Sequence, residues 1–294
     1  MKKLIAQILV FGMLAAMLAG CAGAPADDTS KPIETEPAGS TAAKPEGNKE
    51  VTIQETVLFE EGGIKVTATG LNKGLSGMEL KVLVENNSEK NIVFSADEFV
   101  INGVTLSGFG YVEAAAGKKA NDTLTFYTAQ LETAGIEIIA SIRGADARIV
   151  DTDSYETLYE VPFSLTTSAA DHVQQIDDSG DVIFQKDGVT VISRLLEDEL
   201  YGKSVCLLVK NDTGKDMIVR ADNVSVNGYT IDGWLYDTVY SDTVRYCGLD
   251  FLSSELEENE ITRIEDVTFT LKIVDPETFD TVAQSDEIKV VVAE

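Results

Sequence analysis

The sequence predicts an all-β protein built from two tandem β-sandwich domains, each with one short helical turn, following a disordered tether. Three observations carry that prediction. Apolar residues alternate with period two rather than 3.6. The chain repeats itself at an offset of about 125 residues. Asn-Gly pairs separate alternating runs at equivalent places in both copies.

The alternation is plain in M-E-L-K-V-L-V-E-N, where Leu80, Val82 and Val84 share one face. In the second copy Val205, Leu207 and Val209 take the corresponding face. G-I-K-V-T-A-T and T-L-T-F-Y read the same way, as half-buried antiparallel strands do. Asn102-Gly103 and Asn227-Gly228 supply the two positive-φ residues of a type I′ hairpin. Gly, Asn and Asp clusters cut each copy into about eight short strands, which fits an immunoglobulin-like sandwich. T-A-Q-L-E-T-A-G-I and S-S-E-L-E-E-N-E-I read as one or two helical turns, with Ser254 and Glu257 as a capping box.

Residues 57–142 align with 182–267 without a gap, and about 24 of 86 positions are identical. Leu83-Val-Glu-Asn86 meets Leu208-Val-Lys-Asn211, Leu124-Thr-Phe126 meets Leu249-Asp-Phe251, and Ile136 and Ile139 meet Ile261 and Ile264. A period of this length suits a whole domain. The expected organisation is a signal peptide over 1–20, a tether over 21–54, a first repeat over 55–168, a linker over 169–180 and a second repeat over 181–294.

The chain opens with Lys2 and Lys3, an apolar run from Leu4 to Leu18, then Leu18-Ala19-Gly20-Cys21. That is the layout of a secretory signal with small residues at the cleavage point, and its last four residues resemble a bacterial lipobox. The resemblance implies that the Cys21 thiol receives a diacylglyceryl group and that cleavage leaves Cys21 first. One acyl chain holds a protein only marginally, at about 0.8 kcal/mol per buried CH₂, and two hold it durably. The expected address is extracytoplasmic, lipid-anchored to the cell membrane. From Ala22 to about Gln54, Ala, Pro, Gly, Ser, Thr and charges dominate. Such a stretch cannot bury enough surface to offset chain entropy and reaches roughly 30 Å as a flexible coil.

The order of Gly-β-V, L-x-V-x-V-x-N, V-N-G and L-x-F, followed by a short turn and a long strand, is similar to secreted Gram-positive proteins. These carry immunoglobulin-like domains related to the mycobacterial immunoprotective antigen type. The resemblance covers both copies, about 230 residues. It implies a fold and a surface location, with no catalytic residues to carry over.

Composition excludes some functions. With 23 basic and 50 acidic residues the net charge is −27, and loss of Lys2 and Lys3 makes it more negative still. A surface of that sign repels nucleic acid and anionic headgroups. The single histidine, His172, stands in the linker without triad or metal partners. I-D-D-S-G-D (176–181) begins like a calcium loop, but Val182 stands where the loop needs Gly. The sequence therefore predicts no catalytic residue, no metal ligand and no cofactor. Cys206 and Cys247 are a possible disulfide, yet strand parity puts Cys206 outward and Cys247 inward.

The expected function is a non-enzymatic binding or adhesion module contacting an extracytoplasmic protein or glycan. The alternatives are an envelope spacer, or carbohydrate binding through aromatics of the second repeat. Candidate contact residues are Tyr229, Trp234, Tyr236, Tyr240 and Tyr246. Trp234 aligns with Phe109 and is expected to be a packed framework aromatic, whereas Tyr229, Tyr240 and Tyr246 replace Val104, Ala115 and Asn121.

Overall fold

The computed structural model describes residues 50–199 and 201–292. The expected signal peptide, Cys21 and nearly all of the expected tether lie outside the described residues. Lys49–Glu294 forms one compact unit, all-β apart from two short helices.

The first half holds ten strands: β1 (Thr56–Glu61), β2 (Ile64–Lys73), β3 (Gly77–Asn86), β4 (Ile92–Ile101), β5 (Val104–Ala114), β6 (Lys118–Tyr127), β7 (Ser141–Gly144), β8 (Arg148–Asp151), β9 (Thr157–Glu160) and β10 (Phe163–Thr166), with α1 (Thr128–Thr133) after β6. The second half holds β11 (Asp181–Lys186), β12 (Val189–Glu199), β13 (Gly202–Asn211), β14 (Met217–Val226), β15 (Tyr229–Thr230), β16 (Tyr236–Val239), β17 (Thr243–Leu252), β18 (Asp266–Val274) and β19 (Thr281–Val291), with α2 (Ser253–Glu258) after β17. The 125-residue offset recurs element by element: β3 and β13, β4 and β14, β6 and β17, and α1 and α2 match at both ends. The counterpart of β5 is split into β15 and β16.

Each half packs two sheets face to face. In the first, β1-β2-β3-β6 faces the sheet of β4, β7, β8, β9 and β10, and β5 belongs to both. Residues 108–110 of β5 pair with β6, while 104–107 and 110–114 pair with β4. That corner requires glycine: a Cβ at Gly108 would lie 2.6 Å from the Thr125 carbonyl oxygen, and one at Gly110 would lie 2.3 Å from Leu124. In the second half β11-β12-β13-β17 faces β15/β16-β14-β18-β19.

The alternating strands bury the faces that the sequence pattern predicts. Leu80, Val82 and Val84 join one apolar core with Phe94, Phe99 and Phe126. Val205, Leu207 and Val209 join a second core with Phe251 and Phe269. Both Asn-Gly pairs adopt positive φ at both residues, closing β4 onto β5 and β14 onto β15. Each asparagine also pins the following segment. Asn102 donates to the Ile138 carbonyl and accepts from the N–H groups of Ala140 and Ser141. Asn227 makes the same three bonds with Arg263, Glu265 and Asp266. Asn86 and Asn211 are fully buried and cross-link equivalent turns, donating to the Ala114 and Val239 carbonyls.

Two local expectations fail. The capping box does not form: Leu252 occupies the cap of α2, without a side-chain bond, and Ser254 lies inside the first turn. Trp234 is not packed. It is 67% exposed, and Phe109 is exposed too. The backbone of Trp234 exchanges two 2.9 Å hydrogen bonds with Asp250. This sets the indole on the outer face, and Ile231 and Leu235 fill the core instead. The aligned aromatics share a position, but the position faces solvent.

Candidate binding groove and the junction beside it

The two halves meet edge to edge. β17 pairs in parallel with β5 through Val244↔Val104 and Arg245↔Thr105, so the two sandwiches share a continuous hydrogen-bonded sheet. Beside this short pairing, the buried hydroxyls of Thr105 and Thr243 share a 2.8 Å hydrogen bond.

Arg245 is the centre of the junction. Its side chain is only 8% exposed. It reaches Glu98 of the first half at 2.5 Å and Asp237 of the second at 2.8 Å, and donates to the Ser107 hydroxyl and the Thr238 carbonyl. Burial pushes the Glu98 carboxyl above its ordinary range, outweighing the opposing pull of Arg245. The guanidinium of Arg143 lies 5.7 Å from the centre of the Tyr240 ring.

Residues before β11 close the other side. Asp177 accepts from the Tyr246 hydroxyl at 3.3 Å and forms an ion pair with Arg194, whose guanidinium covers the Tyr246 ring at 5.2 Å. Asp178 pairs with Lys210 at 2.8 Å. Two of the three acids of the calcium-like run are thus held by cations, and His172 is exposed. Among the described residues no three His, Cys, Asp or Glu side chains gather as a metal-holding cluster.

Next to this junction lies a groove of about 900 Å³. Its floor is the outer face of β12, β13 and β17, and Gln130 and Thr133 of α1 contribute from the first half. Trp234 and Tyr201, the latter 71% exposed, supply aromatic surface. Glu197, Glu199, Asp232, Asp250 and Glu255 supply carboxylates, and Arg194 and Lys203 are its bases.

The five aromatic candidates divide. Trp234 and Tyr246 line the groove. Tyr236 stacks loosely beside Trp234, with ring centroids 6.1 Å apart. Tyr229 is exposed on the short β15 and does not line the groove. Tyr240 is held by Arg143 in the junction, and Tyr246 packs partly against the first core. The sequence reading missed Tyr201, although its signal was present, since the first repeat has Ser76 there.

Cys206 and Cys247 are free thiols. Leu207 faces Cys247 and Cys206 faces Gly248 across β13 and β17, so the thiols lie on opposite faces of one strand pair. The Cys206 thiol is pushed up to about 12, by burial first and by Glu197 and Glu199 after it. Cys247, fully enclosed, is raised by burial as well.

No helix among the described residues is long and apolar enough to cross a membrane. Comparison with protein-family models gives no match, and no curated protein matches the chain.

Proposed function

We propose that the chain is a membrane-anchored cell-surface lipoprotein whose two immunoglobulin-like sandwiches form a non-enzymatic binding module, with the groove beside their junction as its contact site. The observation that carries this reading is an exposed tryptophan and tyrosine lining a concave face of ligand-pocket size. Isolated exposed apolar residues are ordinary, whereas aromatics gathered in a concavity mark contact sites. The lipid anchor rests on Leu18-Ala19-Gly20-Cys21.

The chemistry of the groove speaks against catalysis. A reactive thiol needs a depressed pKa, and Cys206 is shifted the opposite way. The chain's only histidine, His172, does not line the groove. A second reading, an envelope spacer, is favoured by the buried Arg245 junction, which ties the two sandwiches together through ion pairs.

Two experiments test the proposal. Residues 49–294, immobilised, should retain an envelope component that the Trp234→Ala/Tyr201→Ala variant does not retain. Equal capture by both would favour the spacer. Cys21→Ser should release the protein into the medium, and continued membrane fractionation would remove the anchor from the proposal.

A further inference from the structure

Resting on the reading of the groove as a binding site, we infer that its ligand is a positively charged peptide segment, with a lysine or arginine side chain over Trp234 and the flanking carboxylates around it.

The two repeats act as an internal control. They fold alike, so a residue that the framework requires should occur in both. Glu197, Glu199, Asp232, Asp250 and Glu255 stand where the first repeat has Asn72, Gly74, Ser107, Thr125 and Gln130. All five are neutral, so the sandwich asks for no acid at these places. Tyr201 likewise replaces Ser76. These five acids and the added aromatic belong to the second copy alone.

One of the groove's two bases, Arg194, is paired with a carboxylate outside the groove. Arg194 is bonded to Asp177 and lies over Tyr246, and Lys203 is also engaged. Counting both bases, the lining is still net negative. One side-chain oxygen of Glu255 is buried with no hydrogen-bond partner, and so is Nε of Arg194. A peptide segment can spread several ammonium or guanidinium groups along the groove, matching carboxylates that stand apart on β12, β17 and α2. A cation over an exposed tryptophan face gains directly from the ring quadrupole, and tryptophan is the strongest such partner. The net charge of −27 draws cationic segments toward the surface from a distance.

Trp234 is the only tryptophan, so its emission reports on the groove alone. The experiment is a fluorescence titration of residues 49–294 with octalysine and, separately, with a neutral hexasaccharide. It is repeated on two triple variants. One neutralises the groove: Glu199→Gln, Asp232→Asn, Asp250→Asn. The other removes the same charge from exposed positions of the first repeat: Glu61→Gln, Glu113→Gln, Glu137→Gln. Octalysine should shift the emission, with affinity at least tenfold weaker in the groove variant and within twofold of the original in the other. Equal weakening in both variants would mean unselective attraction to an acidic surface, and would overturn the inference. A response to the hexasaccharide and none to octalysine would overturn the ligand class while leaving the groove as a binding site. Silence toward both would also overturn it, and Trp234-dependent capture would then decide the binding reading separately.

Discussion

Replacing Arg245 by methionine should uncouple the two sandwiches. Methionine keeps most of the aliphatic volume, so the change is chiefly one of charge. The guanidinium joins Glu98 and Asp237 across the junction and also donates to Ser107 and Thr238. Removing one partner of a buried pair costs about 3–5 kcal/mol, because the other charge is stranded. Here the two carboxylates are each about a quarter exposed, so water screens part of the penalty. The expected loss is about 2–3 kcal/mol, roughly a 30- to 150-fold shift in equilibrium.

Urea denaturation followed by circular dichroism and by Trp234 emission measures it. The original should unfold with coincident transitions, and Arg245→Met should lower the midpoint and separate the two signals. Adding Glu98→Gln removes the stranded charge and should recover about 1 kcal/mol. The pH dependence has a definite sign. Burial raises the Glu98 carboxyl, so its folded state favours the protonated form. That stabilisation is present below the unfolded value and is lost as pH rises through the folded one. The defect of Arg245→Met should therefore shrink from pH 7 toward pH 4.5. A variant within about 0.5 kcal/mol of the original, the usual range for a plain surface change, would refute the reasoning. So would a double variant no more stable than the single one.

Other perturbations have equally definite outcomes. The Asp151 carboxyl is held below the usual carboxylate range by Lys90, 2.7 Å away, and by the N–H groups of Asp153 and Ser154. Its stabilisation is present above about pH 3.9 and disappears as pH falls through the folded value. Asp151→Asn should therefore lower the urea midpoint at pH 7 and lose less of it on going to pH 3 than the original does. Asn102→Ala removes four side-chain bonds and Asn227→Ala three, and each leaves alanine at positive φ. A loss of about 2–3 kcal/mol is expected in thermal denaturation, and a loss under 1 kcal/mol would contradict the pinning role. In residues 49–294, Ellman's reagent at pH 8 should label Cys206 and Cys247 slowly in the native state and fully after unfolding. Immediate native labelling of both would contradict their burial.

Periodicity made the framework legible in the sequence. Val205, Leu207 and Val209 face inward because alternate side chains must, and Asn-Gly turns the chain because few other pairs accept positive φ twice. The repeat located these features twice over. The groove was only half legible. The sequence marks Trp234 as the sole tryptophan, but its alignment with Phe109 reports an equivalent position and not which way that position faces. Tyr240 and Tyr246 are peculiar to the second copy. Their neighbours Arg143, Asp177 and Arg194 are 97, 69 and 52 residues away from them in sequence. No local pattern carries a contact of that separation, so the sequence does not show that Tyr240 and Tyr246 also close the junction.

The same comparison of copies explains why the sheet should stop growing. Repeat one offers the edge of β5, repeat two fills it with β17, and a head-to-tail contact of this kind can propagate from chain to chain. The edge left for a next chain is β15, only two residues long and carrying exposed Tyr229. Its surroundings lack the receiving groups, since Glu98 and Arg143 correspond to Asn223 and Thr268. The donor is missing too: an incoming first repeat would present Lys118, Lys119 and Ala120 where Thr243, Val244 and Arg245 stand. Two lysines at a sheet edge discourage pairing. Light scattering on residues 49–294 should therefore give a monomer mass across the micromolar range. A mass rising with concentration, and unaffected by Arg245→Met, would show an association that these edges do not explain.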